Sequence, residues 1–104
     1  MRYSAAPSAL AALSPRPMDD RRKKLQFRAW RRGFREIDLI LGGFADRKLA
    51  ALDEAGLDQF ERLLEAPDQD VYEWITGQAE TPTAYESPTL ALIRAFTTKV
   101  SQPE

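Results

Sequence analysis

The residue types able to do chemistry gather in one stretch, Arg31-Arg32-Gly33-Phe34-Arg35-Glu36-Ile37-Asp38, where three arginines, two carboxylates and a lone glycine share eight positions. The chain has no histidine and no cysteine. That excludes an imidazole acid or base, a thiol nucleophile, a disulfide and a Cys/His zinc site. Carboxylates, tyrosines and lysines are left for catalysis, and no paired-carboxylate spacing stands out, so an enzyme is the class the composition favours least. The stretch reads instead as a surface: a basic ridge, a corner of bare backbone at Gly33, and the carboxylate of Glu36 beside it.

Charge is distributed unevenly around this stretch. The 104 residues carry a formal net charge of −1. Residues 18–36 hold eight Lys/Arg against three Asp/Glu, a local +5, whereas residues 37–104 hold five against thirteen, a local −8. Such a split predicts a local basic surface and argues against a chain that coats nucleic acid. With 43% apolar residues the chain forms one domain, burying about 60–65% of the surface its unfolded form exposes. The longest uncharged apolar stretch, residues 39–45, contains two glycines and falls far short of the roughly 20 residues that span a bilayer, so no membrane association is expected.

Helices must position the stretch. Residues 1–18 are rich in Ala, Ser and Pro, carry two arginines and no acid, and are expected to form a disordered extension. They lack the apolar core of a secretory signal, and Pro15 and Pro17 break the amphipathic helix a mitochondrial transit peptide would need, which leaves Met18 as an alternative start. Asp19 and Asp20 favour the N-terminus of a first helix and Arg31 and Arg32 lie near its end, complementing the helix dipole. Leu25, Phe27, Ala29 and Trp30 give it a narrow buried face, while Arg21, Lys24, Arg28, Arg31 and Arg35 recur at three- and four-residue steps as a basic stripe. Gly33 is expected to sit just past this helix, where φ > 0 is tolerated.

From Phe34 the apolar residues Ile37, Leu41 and Phe44, with Ile40 beside them, keep a helical period that Gly42-Gly43 should weaken or kink before Leu49 and Leu52. Asp53 caps a third helix holding Leu57, Phe60, Leu63 and Leu64. Pro67-Asp68 opens a fourth with Val71, Trp74 and Ile75, which Gly77 ends. Residues 78–86 read as a loop, and Ser87-Pro88 starts a fifth helix carrying Leu92, Ile93, Phe96 and Val100. No stretch alternates with period two for long enough to make a strand. The expected fold is all-α, a small five-helix bundle over residues 19–100 with a short tail at 101–104.

Together with Arg62-Leu63-Leu64-Glu65 and Asp68-Gln69-Asp70-Val71-Tyr72-Glu73-Trp74-Ile75, the arginine stretch resembles the succinate dehydrogenase assembly factor family, the small flavinator proteins with an Arg-Gly-x-x-Glu signature. The resemblance covers about residues 19–77, in the content of its pieces and in their spacing. It implies a helper of five-helix-bundle fold that binds the flavoprotein subunit of succinate dehydrogenase, and often of fumarate reductase. It further implies that the helper promotes covalent attachment of FAD to a histidine of that partner and catalyses no redox reaction itself. Carried over residue by residue, the signature is Arg32, Gly33 and Glu36, with Arg31, Arg35 and Asp38 matching its flanks. These six are the expected partner-binding residues, facing the flavoprotein near its flavin and dicarboxylate site. FAD is expected to belong to the partner. This chain lacks the His or Cys to which a covalent flavin attaches, and its Gly-Gly pair does not form a Gly-x-Gly-x-x-Gly turn. A monomer is expected, in the compartment of its client: cytoplasm in a bacterium, mitochondrial matrix otherwise.

Each motif also has a purely structural reading. With Gly33 as the N-cap of the second helix, Glu36 falls at the third helical position, where it forms half of a capping box. Gly33 serves either as a helix terminator or at a close approach, and the arginines either as a solvated face or as a site. Trp30, Phe34, Phe60 and Trp74 are core by default, and Asp68 and Asp70 are helix-start residues. Two further classes compete with the helper. A basic helix could contact nucleic-acid phosphates, against the −8 of the remaining chain, and a generic helical adaptor could bind an unrelated protein.

Overall fold

The computed structural model describes residues 18–101; the expected extension before Met18 and the end of the expected tail lie outside the described residues. Among the described residues five α-helices follow one another: α1 (Asp20–Ala29), α2 (Arg35–Lys48), α3 (Glu54–Glu65), α4 (Asp68–Thr76) and α5 (Pro88–Ser101), with short 3-10 turns at Leu49–Ala51 and Thr83–Tyr85. No strand occurs among the described residues. The fold is all-α, as the periodicity predicts.

Side chains and backbone set the helix ends where the caps point. Asp19 accepts the Arg22 N–H at 2.9 Å and Asp53 the Gly56 N–H at 2.8 Å. Ser87 Oγ accepts the Leu90 N–H at 3.1 Å, with Pro88 in the first helical position. Each fills one of the donor groups a helix start leaves unpaired. The N–H of Arg22 on its carboxylate holds Asp19 below the usual carboxylate range. At the other end of α4, Gly77 takes φ +82°, and the Gln78 N–H reaches back to the Glu73 carbonyl at 2.9 Å. Only a residue without Cβ adopts that conformation freely.

The core joins one face of every helix: Leu25 and Ala29 of α1, Ile37, Leu41 and Phe44 of α2, Leu57, Phe60 and Leu63 of α3, Val71 and Trp74 of α4, Leu90 and Ile93 of α5. At its centre the Phe44 ring lies 5.7 Å from Phe60 and 5.8 Å from Phe96, tying α2 to α3 and α5. Arg94 closes the 78–86 loop onto this core, donating to the Trp74 carbonyl at 3.2 Å and to Thr81 and Glu86.

Several local expectations are corrected. The first helix ends at Ala29 with Trp30 as C-cap, before Arg31 and Arg32. Trp30 reaches α2 instead, donating from its indole to Asp46 at 3.1 Å. Gly42-Gly43 does not break the second helix, which runs unbroken to Lys48. A Cβ on Gly42 would fall far inside contact distance of the Trp30 ring, so the glycine makes room for an indole laid against the helix. Packing outweighs the helix propensity lost there. Phe27 and Leu92, expected in the buried faces, are 59% and 49% exposed. Arg22 takes the place of Phe27, buried beside Leu25 and Ala29 with its guanidinium donating to the carbonyls of Leu49 and Leu52. Phe60 and Trp74 are core, whereas Trp30 and Phe34 are half-buried. The Val100 side chain lies outside the described residues.

Candidate partner-binding site

Residues 31–34 form the bend between α1 and α2. Gly33 does not hold φ > 0 there; among the described residues Gly77 alone does. The N-cap of α2 is Phe34 and not Gly33, which puts Glu36 at the second helical position and rules out the capping box. The carboxylate that does reach back is Asp38, whose Oδ1 accepts the Arg32 N–H at 2.6 Å.

The first turn of α4 grips this bend from beneath. Arg32 donates from Nε to Asp68 Oδ1 at 2.8 Å and from Nη2 to the Leu64 carbonyl at 2.6 Å, and its Nη2 lies 2.6 Å from Asp68 Oδ1 in an ion pair. Only 12% of the Arg32 side chain remains exposed. Asp68 is the first residue of α4, where the helix N-terminus favours a carboxylate. Its other oxygen occupies the space beside Gly33: a Cβ there would lie 2.8 Å from Asp68 Oδ2. The glycine is needed for close approach, and what approaches is the protein's own α4. One turn further along, the Tyr72 ring meets Phe34 edge-on at 5.3 Å.

All six residues expected at the site are therefore brought together, and the structure divides them. Arg32 and Asp38 are half-buried and bonded within the fold, whereas Arg31, Gly33, Arg35 and Glu36 are exposed. The side chains of Arg35 and Glu36 have no partner among the described residues. The Arg31 guanidinium stacks 3.8 Å from the centroid of the exposed Phe27 ring, which keeps it at the surface.

The basic stripe does not run free along α1. Arg21 donates to Glu54, Asp58 and Glu61 of α3 at 2.9, 2.7 and 2.9 Å, which raises its pKa above the usual arginine value, and Arg28 lies 3.8 Å from Glu61. The three acids recur at helical spacing on α3 and take up Arg21 and Arg28 of the stripe, whereas Lys24 and the exposed arginines of the bend form no ion pair among the described residues.

Glu36 also stands at the rim of an apolar groove of about 350 Å³, formed with Leu39 and Ile40 of α2, Tyr72 and Thr76 of α4, and Phe96 and Thr97 of α5. Gly42-Gly43 lies mid-helix under Trp30 and against Phe96, where its amides belong to α2 and cannot cradle a pyrophosphate. Among the described residues no cluster of carboxylates is placed to hold a metal, and no helix is long and apolar enough to cross a membrane.

The family model described as the flavinator of succinate dehydrogenase matches residues 23–97. The protein of Dictyostelium discoideum named succinate dehydrogenase assembly factor 2, mitochondrial, is 40% identical over 73 residues, 70% of this chain and 52% of that protein. Its namesake in Danio rerio is 33% identical over 82 residues, 77% of this chain and 52% of that protein. In Saccharomyces cerevisiae (strain ATCC 204508 / S288c) the figures are 37% over 65 residues, 62% of this chain and 40% of that protein. The chain spans about half the length of the curated relatives it matches. The matched span encloses the bend, the first turn of α4 that grips it and the helices that bury it, and the chain belongs to the family of succinate dehydrogenase assembly factors, the flavinators.

Proposed function

We propose that this protein binds the flavoprotein subunit of succinate dehydrogenase through the exposed side of the α1–α2 bend and promotes covalent attachment of FAD to a histidine of that subunit. Fumarate reductase, whose flavoprotein raises the same attachment problem, is a second client to test. The observation that carries the reading is the pair Arg35 and Glu36, exposed and without side-chain partners, beside a backbone corner that Asp68 and Tyr72 hold from below. A bend fixed in this way presents its charges in one geometry before any partner arrives, which lowers the ordering cost of docking.

Attachment requires the flavin methyl group and the histidine to stay aligned, and a protein that holds the partner's domains in one orientation accelerates it by positioning alone. In this reading FAD belongs to the partner: the chain has no His or Cys to attach it, and among the described residues Gly42-Gly43 lies inside α2. The site of action follows the client, the cytoplasm in a bacterium and the mitochondrial matrix otherwise; the curated relatives carry the word mitochondrial in their names.

Binding of the purified protein to apo-flavoprotein without free FAD tests this reading. Arg35→Glu is expected to melt at the wild-type temperature and to bind about tenfold more weakly, a loss of about 1.4 kcal/mol that marks one of the minority of interface residues costing more than about 1 kcal/mol. Tight binding of isolated FAD to this protein, with no affinity for the apo-flavoprotein, would contradict the reading. Gly33→Arg is a poor probe, because any side chain at that position displaces Asp68 and disturbs the fold together with the surface.

A further inference from the structure

We propose that the groove beside Glu36 receives an apolar side chain of the flavoprotein, carried next to a lysine or arginine that pairs with the Glu36 carboxylate. The inference rests on the reading that the flavoprotein docks at the bend, and it extends that contact across α2 onto α4 and α5.

Three observations point to this occupant. The groove is lined by Leu39, Ile40, Tyr72 and Phe96 on three different helices, and Leu39 at its lip is 51% exposed. A single exposed leucine needs no explanation, but one that walls an apolar recess leaves a surface suited to an anchor. Glu36 stands at the rim with no side-chain partner among the described residues, so a segment entering there meets an uncompensated negative charge. Its neighbour Arg35 offers the opposite sign on the bend side, so the partner must change from acidic to basic as it passes from bend to groove. Finally, Glu36 belongs to both features, and a protein seated on the bend lies against the mouth of the groove without further movement.

The test measures affinity for purified apo-flavoprotein with three variants at exposed positions. Leu39→Glu puts a charge on the lip, Thr76→Trp fills the groove from α4, and Ala55→Glu adds the same charge on α3 outside the groove. Leu39→Glu and Thr76→Trp are each expected to weaken binding at least tenfold, with Ala55→Glu unchanged and all three melting as wild type does. The two groove variants lie on different helices, so if one melts early the other decides. Wild-type affinity in the groove variants, with Arg35→Glu still impaired, overturns the groove and leaves docking at the bend intact. Absence of binding by the wild-type protein overturns both.

Discussion

Arg32 and Glu36 belong to one short signature and do different work. Arg32 forks onto Asp68 and the Leu64 carbonyl with little of its side chain exposed, so it shapes the bend from within. Lysine keeps the charge but cannot supply two donors in a plane. Arg32→Lys is therefore expected to lower stability by about 1–2 kcal/mol in urea denaturation, in the range of a hydrogen bond to a charged group. Loss of partner binding in that variant should follow the loss of a rigid bend. Unchanged stability would mean that the pair with Asp68 contributes nothing to the fold. At this scale the sequence shows the cluster and its charge, but not that Asp68 lies under it, because 36 residues separate the partners and nothing local links them. Arg22 was more accessible: it stands three and seven residues before Leu25 and Ala29, on the same helical face, yet within Arg21-Arg22-Lys23-Lys24 it reads as solvated.

Helices were legible wherever a cap or a proline marked them. Asp53, Ser87-Pro88 and Gly77 each sit at the boundary the sequence predicts, since capping is a local contest between side chain and backbone. Boundaries decided by tertiary contact were not legible. Helical pattern and dipole placed the end of α1 at Arg32, whereas Trp30 leaves the helix to lie across Gly42. The same contact covers the glycine pair, across which the second helix continues unbroken. Gly42→Ala makes the competition measurable. Alanine gains roughly 1 kcal/mol of helix propensity over glycine, but the new methyl must displace the indole, and overpacking a fitted contact costs about 1–3 kcal/mol. A net loss of stability with altered Trp30 fluorescence is expected; a more stable protein with unchanged fluorescence would show that the Trp30 packing is dispensable.

Across the whole molecule, five helices hold a four-residue bend at the surface. The acidic face of α3 takes up Arg21 and Arg28 of the α1 stripe, so part of the local +5 read from the sequence is compensated within the fold. A long basic track on duplex DNA is disfavoured by the same pairing, because phosphate contacts would have to displace Glu54, Asp58 and Glu61 from Arg21. The all-α class was legible in the sequence, as was the clustering of the six candidate residues in one stretch; their division between supporting and exposed residues required the fold. That division gives the account its sharpest consequence.

Glu36 is exposed, caps nothing and pairs with nothing among the described residues, so Glu36→Gln should change stability by less than about 1 kcal/mol, the helix-dipole contribution of a first-turn carboxylate. The deciding measurement is the covalent flavin of the succinate dehydrogenase flavoprotein, read by in-gel fluorescence with wild-type or Glu36→Gln protein present at equal folded concentration. The account predicts a strong band with wild type and about one tenth of it with the variant. Equal bands would contradict it, leaving the exposed side of the bend without a part in flavin attachment.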